Sequence, residues 1–202
     1  MTVGPVKPSQ ILLIRHGEKL GDPSNGPGGP DLSIQGSARA AALPALFAPT
    51  TPELACAIDA AKSSFHAHYE TQPLSGPAPR FATPDFIIAT ADSKHSNRPR
   101  QTATPTALAL GVPFDSTTYD DKPAGIAQLV TDLTNKSHYA GKVILICWHH
   151  GTIPTIAQEL GVANPPPWKG SVFDRVWVID FSQIPLAVAD RPQQLLYGDS
   201  AT

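Results

Sequence analysis

Short, continuous apolar runs alternate along the chain with polar stretches rich in glycine and proline. Ile11–Ile14, Phe86–Thr90 and Val143–Trp148 are apolar at nearly every position, which predicts strands covered on both faces. Arg175–Phe181 alternates and predicts a further strand. Between these runs the pattern turns helical. Ser37–Phe47 is alanine-rich, with Ser33 or Ser37 as its cap, and is ended by Pro49–Thr51. Arg100–Leu110 reads as a helix closed by Gly111 in the left-handed conformation, with Pro105 fitting poorly inside it, so that the helix begins or bends there. Ala124–Asn135 is amphipathic, and a helix after Gly151 runs to Leu160 and is closed by Gly161. Strand–helix alternation predicts an α/β fold: a three-layer αβα sandwich with a mostly parallel sheet and helices on both faces.

A length of 202 residues with 41% hydrophobic content fits one globular domain, residues 1–202. Residues 52–84 stand out as an insertion or cap: Ala55–Glu70 has helical composition, whereas Gln72–Pro84 is irregular. The 22 prolines gather in loops and stiffen them. A net charge of −2 gives no general attraction to nucleic acid or to an anionic membrane, so any phosphate site must be a local cluster of cations. No apolar stretch approaches the ~18 residues of a membrane span, and Met1–Gln10 lacks the apolar core of a signal peptide. The expectation is a cytoplasmic protein; the pattern specifies no oligomeric state. Of the two cysteines, Cys147 lies in an apolar run and reads as a buried thiol, and no CxxC spacing suggests a metal. His66, His68 and Glu70 do not share one helix face, which disfavours a metal site there.

Chemistry concentrates where the three apolar strands end. The first run stops at Arg15-His16-Gly17-Glu18. The second is followed by Ser93, Lys94, His95, Arg98 and Arg100, and the third by His149-His150-Gly151-Thr152. In a parallel sheet these ends lie on one edge, where open α/β sheets bind ligands. The pocket so formed holds two or more arginines and two histidines. A planar guanidinium grips phosphate oxygens. Imidazole can attack phosphorus or carry protons near neutral pH. The set suits a small-molecule phosphate ester; arginines and a second histidine supply the positive charge, so no metal or other cofactor is called for. Arg100 and Lys94 lean toward solvated surface cations, and His95 toward a loop histidine. Trp168 and Phe173-Asp174-Arg175 are candidates to shape the substrate pocket, but aromatics beside a strand start are usually core, and Asp174–Arg175 reads as a structural rather than a catalytic pair.

Four segments, in order, resemble the histidine phosphatase superfamily, also called phosphoglycerate-mutase-like. Ile11–Glu18 is similar to its strand ending in Arg-His-Gly. Leu32-Ser33-Ile34-Gln35-Gly36-Ser37-Ala38-Arg39-Ala40 is similar to its Leu-Ser/Thr-x-x-Gly segment, and Arg98-Pro99-Arg100-Gln101-Thr102-Ala103 to its Arg-Ala-x-Gln-Thr-Ala segment. Val143–Gly151 is similar to the last catalytic strand, which ends in His-Gly. The resemblance implies that His16 is the phosphorylated nucleophile and that Arg15 and Arg98 bind the phosphoryl group. It implies a second histidine in His149-His150. His150, next to Gly151, is preferred, while placing Ile153 on the apolar position after the family's His-Gly-Gly puts His149 there instead.

The resemblance has departures. Lys19-Leu20-Gly21-Asp22 stands where phosphoglycerate mutases carry Ser-x-Trp-Asn. The family's acid/base glutamate has no clear counterpart; Asp120, Asp121 and Glu18 are the candidates, Glu18 being nearest the nucleophile. The expected activity is phosphomonoester hydrolysis through a phosphohistidine. A phosphoglycerate-type mutase is one alternative, disfavoured by the missing Trp-Asn. A non-catalytic phosphate-binding module is the other, favoured by the missing glutamate.

Overall fold

The computed structural model describes residues 6–20, 29–48 and 79–200. Six strands form one sheet: β1 (Gln10–Arg15), β2 (Phe86–Ala89), β3 (Phe114–Asp115), β4 (Val143–Trp148), β5 (Arg175–Asp180) and β6 (Ala189–Pro192), in the order β3-β2-β4-β1-β5-β6. The pairs β1–β4, β2–β4 and β2–β3 are parallel. β5 runs antiparallel to β1, and β6 antiparallel to β5.

The continuous apolar strands are explained by burial on two sides. Ile11 and Leu13 of β1 and Ile144, Ile146 and Trp148 of β4 face one core, which is closed by α3 (Pro123–Asn135) and α4 (Ile153–Glu159) through Ile126, Leu129, Leu133, Ile153 and Ile156. Leu12, Ile14, Leu145 and Cys147 face the other core. That face is covered by α1 (Ile34–Ala42), the 3-10 turn Leu43–Leu46 and α2 (Arg98–Leu110), with Leu43, Leu46, Phe47, Ala103 and Ala107 in contact. The result is the expected three-layer αβα sandwich.

Chain direction sets where the connections diverge. After β1 the chain turns to α1 on one face, and after β4 it turns to α4 on the opposite face. β1 and β4 are neighbours, so their carboxyl ends flank the point where the connections diverge.

Local expectations differ from the fold in a few places. Ser33 caps α1, its side chain accepting from the Gly36 N–H at 3.0 Å, and the helix tightens into the 3-10 turn at Leu43. α2 starts at Arg98 with Pro99 in its first turn and runs through Pro105. Burial of Thr102, Ala103, Thr106 and Ala107 along one face offsets the proline's lost hydrogen bond. Gly111 ends α2 at φ +64°, and Gly161 stands at φ +107° just beyond α4. β3 and β6 are too short, or too exposed, to carry a pattern. Asp174 takes the N–H and hydroxyl of Ser200, and Arg175 pairs with Asp190 at 2.7 Å.

Residues 52–78 of the expected insertion, with Cys56, His66, His68 and Glu70, lie outside the described residues. Where the chain is described again, it is stitched to the 3-10 turn: Phe81 N–H donates to Leu46 O and the Thr83 hydroxyl to Phe47 O. Cys147 is a buried free thiol, its pKa raised by burial. Among the described residues no helix is long and apolar enough to cross a membrane.

Candidate active site

His16 follows β1 directly, as His149 follows β4. The parallel register that pairs Arg15 with Trp148 carries the two histidines to the same level, with His16 N–H donating to Trp148 O at 3.1 Å. Their rings meet edge-on, centroids 5.2 Å apart. His16 is 3% exposed. Its Nδ1 lies 2.7 Å from Gly17 O. A carbonyl can only accept, so Nδ1 carries the proton and Nε2 keeps its lone pair. Burial pushes the His16 pKa down to about 3, the Gly17 hydrogen bond opposing and the charges of His149, Arg15 and Arg98 adding to the drop. The ring is neutral at pH 7 and nucleophilic at Nε2.

Gly17 is held from two sides. Its N–H donates to Thr102 Oγ1 of α2 at 2.9 Å, and a Cβ here would stand 2.8 Å from the Gly36 carbonyl. Only glycine lets the start of α1 pack this closely against the strand end.

Arg15 is 2% exposed. Its Nη1 donates to Gly170 O at 2.6 Å and to Val172 O at 2.9 Å. The guanidinium lies 3.6 Å from the centroid of the Phe173 ring. Burial lowers its pKa to about 10, Glu18 opposing and Arg98 adding, so it stays charged at neutral pH. Arg98, at the first position of α2, donates from Nη1 to Gly29 O at 3.0 Å. Burial lowers its pKa too, with Asp31 opposing. Nε of both arginines is buried with no hydrogen-bond partner among the described residues. Buried unpaired N–H groups are costly, and an anion seated between them would satisfy both.

The other candidates are placed differently. His150, preferred from the sequence, lies against Gly170: its Nε2 is 3.3 Å from where a Cβ of Gly170 would be. Its pKa is lowered by burial and then by Arg15 and Lys19. The histidine ring that meets His16 is that of His149. His149 has Asp121 Oδ2 3.9 Å from its Nε2; burial lowers its pKa, Asp121 opposing. Glu18, although two residues from His16, is turned away: both its carboxylate oxygens accept from Arg39, at 2.7 to 3.1 Å. Arg100 pairs with Asp92 at the surface, and Lys94 and His95 are exposed.

Phe173, for which the sequence favours a core role over a pocket role, lies against Arg15 and His16. It precedes β5, and a strand antiparallel to β1 begins at the edge where β1 ends; the register pairs Ile14 with Val176. Its ring centroid lies 6.2 Å from that of His16. Among the described residues, no group of three or more His, Cys, Asp or Glu side chains is placed to hold a metal ion.

No family model matches the sequence, and no curated protein matches it. Solved structures do. One is a proposed alpha-ribazole-5'-P phosphatase from Escherichia coli, with a TM-score of 0.51 and 13% identity over 91% of this chain and 96% of that one. Another is a proposed phosphohistidine phosphatase, SixA, from Agrobacterium tumefaciens, with a TM-score of 0.40 and 16% identity over 94% and 97% of the two chains. With its sheet order, its two helical layers and the histidine-bearing ends of β1 and β4, the chain has a phosphoglycerate-mutase-like fold.

Proposed function

We propose that the protein is a phosphomonoester hydrolase that works through a phosphohistidine on His16. The observation that carries this reading is a buried, neutral His16 with Nε2 free, set against His149 and within the electrostatic reach of Arg15 and Arg98. Nε2 attacks phosphorus, the P–O ester bond breaks, and the leaving oxygen takes the proton of the Asp121 carboxyl in its acid form. The carboxylate so formed takes a proton from the water that attacks the phosphohistidine; the N–P bond breaks, Nε2 regains its lone pair, and inorganic phosphate leaves. Arg15 and Arg98 offset the charge on the equatorial oxygens, the dominant need in this chemistry, and the neutral His149 ring has one N–H to donate to them. Asp121 is the acid/base candidate that adjoins the histidine pair; Glu18 is committed to Arg39. The substrate class is a small-molecule phosphate ester, with no nucleic-acid or membrane partner and no cofactor.

The test is hydrolysis of p-nitrophenyl phosphate from pH 4 to 9 with EDTA present, comparing wild type with His16→Ala and trapping the phosphoenzyme in acid-quenched samples. Turnover and a trapped phosphoryl group, both lost in the variant, are expected. Turnover that survives His16→Ala would sink the reading. Tight vanadate binding without turnover would point to a mutase or to a binding module.

A further inference from the structure

We infer that Phe173, with the turn 168–173 before it, positions Arg15 for the phosphoryl group, so that this loop sets the geometry of the anion site although it belongs to none of the family-like segments. The inference rests on the reading of Arg15 as a phosphoryl ligand.

Three contacts from this one turn act on one guanidinium. The carbonyls of Gly170 and Val172 take both Nη1 protons, at 2.6 and 2.9 Å. The Phe173 ring stacks beneath the group at 3.6 Å. The turn is itself pinned, because Trp168 Nε1 donates to Val172 O at 2.9 Å, and Trp168 packs on Trp177 of β5 with ring centroids 4.9 Å apart. The guanidinium plane is thereby fixed on one edge by hydrogen bonds and on one face by the ring. Its Nε is left buried without a partner among the described residues. A planar donor held in this way loses little freedom when it binds an oxyanion, which is how preorganised electrostatics lower a barrier. The ring is suited to the task because its negative face attracts the cation without competing for its N–H groups. Phe173 is a positioning residue: it acts through Arg15.

The experiment separates packing from positioning. Phe173→Leu keeps apolar bulk and removes the π face; Phe173→Tyr keeps the face. In Phe173→Leu, kcat on p-nitrophenyl phosphate and the affinity for vanadate are each expected to fall about 10-fold, with KM changing by less than about 3-fold. Phe173→Tyr is expected to stay within about 2-fold of wild type. In an Arg15→Met background, Phe173→Leu should change vanadate affinity by less than about 2-fold, because the cation on which the ring acts is gone. Equal losses in the Leu and Tyr variants, or an undiminished loss in the Arg15→Met background, would overturn the inference. Should Phe173→Leu fail to fold, the wild type decides: the Nε–H proton of Arg15, identified by its loss in Arg15→Lys, is expected well upfield from ring current, and an ordinary shift overturns the inference. If the wild type binds vanadate but turns over no ester, the hydrolase reading fails while the affinity comparison still decides the role of Phe173. If it binds no vanadate, the inference falls with the anion site.

Discussion

Arginines gathered near the end of β1 have opposite fates. Arg39 and Arg15 are each 2% exposed. Arg39 is saturated: Glu18, Asp199 and Gln193 take hydrogen bonds from its Nε, Nη1 and Nη2. Burial alone would lower its pKa, but the bonds to Asp199 and Glu18 outweigh it and hold the group above its ordinary value. Arg15 and Arg98 lie beside a neutral histidine with Nε unpaired, and both are pushed down by burial. A fully satisfied buried charge joins pieces of chain, here the end of β1, α1 and the C-terminal segment. An unsatisfied one is kept at a cost that stability alone does not explain. Proximity to the nucleophile is therefore a poor guide to role. Glu18 is two residues from His16 and belongs to the structural set, while Asp121 is far off in sequence and lies beside His149.

Substitutions on either side test this contrast. The largest effect is expected at the proposed nucleophile: His16→Ala lowers kcat by more than about 10³-fold, read in a p-nitrophenyl phosphate assay, since the proposed covalent route has no substitute. Arg39→Met falls on the other side. It strands Glu18 and Asp199, 13% and 6% exposed at their side chains. Its unfolding free energy in urea should drop by about 3–5 kcal/mol, whereas Arg98→Ala should lower kcat about 10²-fold with little change in the urea midpoint. If Arg98→Ala destabilises as strongly as Arg39→Met, the distinction is wrong.

A narrower comparison sets the two carboxylates against each other. Asp121→Asn should slow an alkyl phosphate, with its poor leaving group, by about 10-fold or more, and p-nitrophenyl phosphate far less. Glu18→Gln should leave both rates within about 3-fold and lower stability by about 1–2 kcal/mol. The reverse ranking would restore Glu18 as the acid.

The pH dependence of stability offers a smaller effect. The folded pKa of His16, about 3, lies below its unfolded value. Between these values the unfolded chain binds a proton that the native ring does not, so stability falls on acidification from about pH 6.5 toward 3. His149 and His150 act in the same direction. His16→Asn should flatten the slope of unfolding free energy between pH 6.5 and 5 by up to about 1.4 kcal/mol per pH unit. An unchanged slope would mean that the native ring is already protonated. Smallest of all, Arg100→Ala should change stability by no more than about 0.5 kcal/mol and leave turnover unaltered, because its pair with Asp92 is exposed.

The sequence carried the layers well. The strands with every position apolar are those with helices on both faces, and the glycines after Leu110 and Leu160 mark left-handed turns at helix ends. Arg15, His16 and Arg98 were legible for a similar reason: each sits at an element end whose position follows from local pattern. The choice between His149 and His150 was legible only through register. Ile11 and Leu13 alternate with Leu12 and Ile14 across β1 as Ile144 and Ile146 alternate with Leu145 and Cys147 across β4; carrying that phase one step past each strand pairs His16 with His149. Phe173 had no such signal, because the alternation in Arg175–Asp180 is the same whether the strand runs parallel or antiparallel to its neighbour.

The chain's own pattern thus determined which segments become strands and helices, which faces they bury, and which strand ends bear cations and imidazoles. Those outcomes follow from periodicity and backbone preference within about ten residues. The tertiary structure decided the partners: Arg39 for Glu18, Asp121 for His149, and the turn before β5 for Arg15. These contacts join residues 21 to 157 positions apart. They depend on the order and direction in which strands enter the sheet, and that is set by the burial of whole layers, which local pattern does not encode.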